Sequence, residues 1–443
     1  MSHADSPRAA RAVPTVSIPA TRYELTCGAT LLVHRRPGAP VAAIDAHVRG
    51  GPSLDPEGLE GLAYLTGALA DQGTRRHDEE RLAELLEPHG GDLQGESTGI
   101  SGSIVAGEWE TLGDLVCELL TEPTYPAAAV RRQKERMLRR LANEEADPRR
   151  RGSLAFRRMI YGDHWLGRPA YGSSASVAAV EPRHLRAHHR KNWVASRGVI
   201  GFCGDAEPEE VRRFFERRLA RWRRGAPLEP RSTRFPSPRA ALKVVPARRK
   251  QVHVFLGHLG IRRGDPDYAR LVVMDHVLGQ GPGFTDRISR RLRDELGLAY
   301  SVSAGISSSA GISPGTFTAY IGTSPEHVVT AVEHFLAELR RIRDELVPEE
   351  ELRMAKDYLS GSFSMGFERA TRRASYLVTT EVHGLPEDSL ERLPREFEAV
   401  TAEELREAAR AHLFPDRCCV TAAGPVDAAA LRRALGAAGG CRR

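Results

Sequence analysis

Arg293 and Tyr300 offer the clearest chemistry in the chain, within Leu292-Arg293-Asp294-Glu295-Leu296-Gly297-Leu298-Ala299-Tyr300-Ser301-Val302. A guanidinium presents a planar fork of donors to a carbonyl or carboxylate. A phenol can donate to a developing oxyanion. On pattern alone, Arg293 pairs with an acid on its own helix and Tyr300 fills a strand core. Gly279-Gln280-Gly281-Pro282-Gly283, just upstream, reads as a flexible turn. His184 and His188 sit one helical turn apart, with His189 beside them. Such a pair could begin a zinc site, but no carboxylate accompanies it, so it reads as a solvated surface. His253 and His258 flank an apolar strand, and His276 follows Asp275 on a helix; these read as structural. Glu144 and Glu145 read as ordinary helix charges. Neither H-x-x-E-H nor H-E-x-x-H occurs anywhere in the chain.

The elements that must position these residues form one unit written twice. In the first half a strand is expected over 42–48, with helices over 58–71 and 78–87. Gly90-Gly91 supplies a left-handed stop to the second helix. A strand over 98–106 follows, then helices over 109–121, 126–145 and 182–193, and a buried strand over 198–203. The second half repeats the order. Strands are expected over 251–257, 299–306, 316–321 and 418–423, with helices over 265–278, 288–296, 325–346, 348–363 and 401–412. The repeated order argues for internal duplication. Strands joined by short turns, without regular β-α-β alternation, predict an α+β fold of two domains, each an antiparallel sheet packed with helices.

Length and composition agree. A chain of 443 residues exceeds a single core, and 41 % hydrophobic with 28 % charged residues suits a globular protein. The net charge of +6 comes almost wholly from Arg, and runs such as Arg149-Arg150-Arg151 read as a solvated face. No nucleic-acid motif accompanies them, so no nucleic-acid partner is expected. No apolar run is long enough to cross a membrane. The six cysteines form no C-x-x-C pair and read as buried thiols in a reducing compartment. Residues 1–22 carry charges and prolines without an apolar core, which predicts a short disordered leader on a cytoplasmic protein. Residues 23–224 and 247–443 are the expected domains. Residues 225–246, rich in Pro, Arg and Ser, are the expected linker.

Four landmarks in order resemble the M16 peptidases, the insulinase, pitrilysin and mitochondrial processing peptidase group. They are Asp55-Pro56-Glu57-Gly58-Leu59-Glu60-Gly61-Leu62-Ala63 with Gly73-Thr74; Gly90-Gly91; the strand over 251–257 with Arg263-Gly264-Asp265-Pro266-Asp267-Tyr268; and the 292–302 run. The resemblance spans about Val41 to Leu435. It implies a clamshell-forming M16 fold and a zinc helix bearing H-x-x-E-H, in which two His bind the metal and the Glu takes a proton from its water. Aligned on Gly61-Leu62-Ala63, those three places hold Tyr64, Gly67 and Ala68. The residual acid of the family's third ligand would be Glu144 or Glu145.

By the same resemblance, Arg293 and Tyr300 bind peptide near the scissile bond of a catalytic site. The glycine loop resembles one tied to substrate handling in the non-catalytic subunit of mitochondrial processing peptidase. The family's substrate-pairing edge strand, Asn-Ala-x-Thr, is replaced by Gly91-Asp92-Leu93-Gln94-Gly95-Glu96-Ser97. The implied function is a non-catalytic, substrate-binding subunit of a heterodimeric M16 zinc metallopeptidase. Zinc is expected in a partner chain with an intact H-x-x-E-H, and none in this chain. The alternative is a zinc-free homologue, either a scaffold resembling the core proteins of respiratory complex III or a peptide chaperone. The basic balance favours acidic peptides.

Overall fold

The computed structural model describes residues 15–229, 234–236 and 239–437. Its first sheet contains β1 (Thr21–Glu24), β2 (Thr30–Arg35), β3 (Val41–Val48), β4 (Asp92–Glu96), β5 (Gly99–Val105) and β6 (Gly198–Gly204), in the order β1-β2-β6-β3-β5-β4. The second contains β7 (Ala241–Val245), β8 (Val252–Leu259), β9 (Val302–Gly305), β10 (Thr316–Thr323) and β11 (Cys419–Ala423), in the order β7-β11-β8-β10-β9. Setting β1 aside, the two orders are the same. In each, the last strand in sequence is parallel to the first and antiparallel to the second. The duplication read from element order is therefore present in the topology. The α+β class holds, but the sheets are mixed, each with one parallel pair, because the closing strand returns from a distant helix.

Each half lends a helix to the other. Pro148–Tyr161 lies on the second sheet, where Phe156, Ile160 and Tyr161 pack with Phe255, Tyr320 and Cys419. Burying side chains of this size contributes roughly 1.5–3 kcal/mol each. Ala370–His383 lies on the first sheet, with Leu377 and Val378 against Leu32 and Val199, and Ala370 and Ala374 against Ala43 and Cys203. The approach is close. A Cβ at Gly201 of β6 would stand 2.6 Å from the Ala374 carbonyl oxygen, and one at Gly152 would stand 3.0 Å from the Ala423 Cβ. Strand β6 is buried on both faces as a result, which explains its continuous Gly-Val-Ile-Gly-Phe-Cys-Gly character.

Several expectations are corrected. Residues 1–14 of the expected leader lie outside the described residues. Residues 15–22 are not a disordered leader: Val16 is buried with Phe367 and Leu390, and Thr21 begins β1. Residues 230–233, 237 and 238 of the expected linker lie outside the described residues, but 241–245 form β7 and pair with β11. The expected helix over 58–71 is an α-helix only over Leu62–Ala68, and the strand over 299–306 only over Val302–Gly305. Arg149-Arg150-Arg151 is no free basic face. Arg149 stacks on Tyr320, Arg150 pairs with Glu144, and Arg151 donates to the Pro246 carbonyl. Five cysteines are free and buried, as expected; Cys441 lies outside the described residues.

Candidate functional site

The helix Leu62–Ala68 is placed by its preceding loop. Asp55 accepts hydrogen bonds from the backbone N–H of Gly61 at 2.8 Å and of Ala63 at 2.7 Å, serving donors that a helix start leaves open. Burial pushes the Asp55 carboxyl up to about 6, against these two bonds. Gly61 takes φ +93°, and a Cβ there would lie 2.5 Å from the Tyr171 carbonyl oxygen. The first landmark is thus a helix-entry device, and it survives intact.

The body of the helix does not fit zinc. Tyr64 packs edge-on against Tyr171, with ring centroids 4.7 Å apart. At Gly67 the helix backbone lies directly on β4: a Cβ there would overlap the carbonyl oxygen of Glu96, and one at Gly95 would overlap that of Gly67. Ala68 has no ligating atom. Glu144 is held by Arg140 at 2.9 Å and Arg150 at 3.1 Å. Glu145 accepts from the Ser174 N–H and hydroxyl at 3.2 and 2.9 Å. Tyr64, Gly67 and Ala68 thus offer no metal-ligating arrangement, Glu144 and Glu145 are engaged elsewhere, and the space beside Gly67 is filled by backbone. The edge strand itself is kept despite its altered sequence. β4 still ends the sheet, and Gln94 and Glu96 face a cleft of about 870 Å³ with Asp45, His47, Arg372 and His383. Burial holds the Asp45 carboxyl up at about 6, and burial with nearby Arg49 holds the His47 imidazole down at about 4.

The two residues singled out in the second half come together. The helical stretch expected over 288–296 is a short α-turn, Arg287–Ser289, continued as a π-helix over Arg290–Glu295. Asp286 caps it, accepting from the Ser289 N–H at 2.7 Å and hydroxyl at 2.9 Å. Arg287 is buried against Glu351 at 2.6 Å, anchoring the segment. Arg293 lies inside the π-helix, an irregularity frequent at functional sites. Its guanidinium carbon stands 3.6 Å from the Phe284 ring centroid and 5.3 Å from that of Tyr300. The nearest acid, Asp294, is 3.9 Å away. The expected pairing of Arg293 with an acid on its own helix is present only as this long contact, without a hydrogen bond, and Tyr300 is no core aromatic, since 85 % of it is exposed. Residue types alone did not single out Phe284; a bulky residue directly after Gly-Pro-Gly is the one signal that marks it.

The histidines are structural; of His184, His188 and His189, expected on a solvated surface, only His184 is partly exposed. His188 and His189 are buried; His188 meets the Thr66 hydroxyl and His189 donates to the Leu120 carbonyl, and burial pushes both imidazoles down to about 4. His253 meets the Tyr320 hydroxyl, His258 accepts from the Phe414 N–H, and His276 donates to the Val272 carbonyl. Asp265, Asp267 and His412 also converge, but Asp267 is already paired with His412 at 2.9 Å and Arg270 at 2.7 Å.

Fold and site together define a duplicated α+β chain whose Leu62–Ala68 helix carries no metal ligand. Comparison with known proteins shows what the chain is similar to. Residues 179–359 match the peptidase M16 inactive domain. An uncharacterized zinc protease of Mycobacterium tuberculosis is 26 % identical over 95 % of this chain and 96 % of its own length. A non-peptidase homolog from Helicobacter pylori is 24 % identical, covering 84 % of this chain and 86 % of its own. The crystal structure of a peptidase M16 inactive domain from Pseudomonas fluorescens superposes with a TM-score of 0.85 at 25 % identity, covering 92 % of this chain and 99 % of that one. A protease structure from Helicobacter pylori shares the fold, with a TM-score of 0.83 at 14 % identity over 93 % of this chain and all of that one (100 %). The matched segment is that of a peptidase M16 inactive domain, and the likeness to these relatives runs through nearly the whole chain.

Proposed function

We propose that the chain is a zinc-free, substrate-binding subunit of a two-chain M16 metallopeptidase. The partner would carry H-x-x-E-H and the zinc, while Arg293 and Tyr300 of this chain would grip the peptide beside it. One contrast carries the reading. The locus that would hold metal is closed by backbone, while Arg293 is met by a carboxylate only at 3.9 Å, with no hydrogen bond, beside an exposed phenol. A scaffold alone has no use for that second arrangement.

The test uses the purified chain and an H-x-x-E-H-bearing M16 chain of the same host. Alone, the chain should carry no stoichiometric zinc by elemental analysis and cleave no peptide. Mixed, the two should form a complex with chelator-sensitive peptidase activity. Arg293→Ala and Tyr300→Phe should lower turnover in that complex by about tenfold or more without dispersing it, the scale of losing one donor to a developing charge. Chelator-sensitive cleavage by the lone chain would refute the proposal, and so would full activity in both variants. The second reading is a zinc-free peptide-binding or scaffold homologue, favoured by the relative described as a non-peptidase homolog. It expects no activity in any pairing.

A further inference from the structure

We propose that Phe284 is a positioning residue for peptide binding: its ring holds the Arg293 guanidinium by one face and leaves the N–H edges to the substrate. The inference deepens the proposed substrate role of Arg293 and rests on it. Three independent features converge on that guanidinium. The first is the stacking itself, with Phe284 at 3.6 Å and Tyr300 at 5.3 Å, which fixes a flexible side chain through cation–π attraction. The second is the weakness of competing polar partners, the one ion pair among the described residues being the long contact with Asp294. Among the described residues no hydrogen bond holds Arg293, its nearest acid is at 3.9 Å, and its Nη1 is buried without an acceptor. An arginine kept only for packing is ordinarily anchored by hydrogen bonds from its donors; here the anchor is aromatic and no hydrogen bond takes up the donors.

The third feature is backbone irregularity on both sides of the contact. Gly283 and Phe284 take consecutive left-handed conformations, φ +61° and +67°. Glycine does so freely, but a bulky aromatic does not, and such outliers cluster at ligand clamps. Across from them, Arg293 sits in the π-helix over Arg290–Glu295. Both departures serve the same meeting of ring and guanidinium. The ring is also 46 % exposed, so core packing does not account for its placement.

The experiment measures binding of an unstructured, fluorescein-labelled peptide of Gly, Ser, Leu and Glu to the full chain by fluorescence anisotropy. Phe284→Ala should weaken binding by about three- to tenfold, the range of a partly desolvated cation–π contact. Phe284→Gly should weaken it equally, although glycine suits the left-handed backbone, because the ring and not the turn is what matters. Phe284→Trp should restore affinity to within about twofold, and Phe284→Leu should not, since only Trp supplies a π-face. Phe284→Ala added to Arg293→Ala should cause no further loss, as expected of a residue that acts through Arg293. If Arg293→Ala weakens binding but Phe284→Ala binds as tightly as the parent or tighter, the role of Phe284 is overturned and that of Arg293 stands. If the parent chain does not bind the probe, or Arg293→Ala leaves binding unchanged, the substrate role of Arg293 falls and Phe284 falls with it.

Discussion

At the scale of single residues, Gly67 decides what the first half can be. Loss of a ligand is reversible by one substitution when the space for it remains. Here the space is gone, because the Leu62–Ala68 helix and β4 touch backbone to backbone through Gly67 and Gly95. Gly67→Ala should therefore destabilise the chain although alanine is the better helix former. The added carbon must push β4 aside, and overpacking against backbone costs about 3 kcal/mol, at the upper end for such changes. Gly107→Ala is the control: a Cβ there meets nothing within 4 Å, and its effect should stay within about 0.5 kcal/mol. Urea unfolding of the two variants beside the parent reads the difference. Equal midpoints for Gly67→Ala and the parent would mean that the helix and strand are not in close contact. Arg293 shows the opposite logic at the same scale. Its close neighbours are rings, its one acid neighbour stands at 3.9 Å, and no hydrogen bond among the described residues takes up its donors.

At the scale of elements, the exchanged helices couple the two halves. Ala370–His383 lies on the first sheet, and Asp45 of β3 accepts a hydrogen bond from Ser375 across that seam. Burial raises the Asp45 carboxyl from 3.8 to about 6. A raised acid binds its proton more tightly when folded, so its contribution to stability is complete below the unfolded value. It falls as pH climbs from about 4 to 6, then stays low. Asp45→Asn removes the titration. The variant should match the parent near pH 4 and exceed it by about 1–3 kcal/mol at pH 8. Thermal or urea unfolding at both pH values measures the gap, and a gap independent of pH would contradict the argument. The two exchanged helices were also what the sequence hid. Element order, the duplication and most strands were legible because their apolar residues recur at local periods. Pro148–Tyr161 is Arg-rich, and its apolar face meets Phe255 and Tyr320, residues from about a hundred to about 160 positions away whose pairing no local period reveals. Val16 and β7 were read as leader and linker for the same reason, since their partners are distant.

At the scale of the molecule, the halves share one topology and have diverged in opposite directions. The landmarks announced the resemblance, and the absence of H-x-x-E-H was plain from residue types alone. They did not announce that β4 closes on the helix, nor that Phe284 caps Arg293, because both depend on backbone conformations that residue identity does not specify. This bears on whether the chain is a peptidase lacking three side chains or a body rebuilt without a metal position. Tyr64→His, Gly67→Glu and Ala68→His together write H-x-x-E-H back into the helix. If only side chains were missing, the variant should bind zinc. The geometry argues otherwise. The new Glu at position 67 must enter space held by the Glu96 carbonyl, replacing Tyr64 breaks its contact with Tyr171, and Glu144 stays clamped between Arg140 and Arg150. Catalytic zinc requires three protein ligands with correct geometry. The triple variant should therefore emerge from gel filtration without stoichiometric zinc, unfold at lower urea concentration than the parent, and cleave no peptide alone. One tightly held zinc per chain with chelator-sensitive cleavage would show that the first half remains a working metal site in all but three residues, and the proposed division of labour would lose its basis.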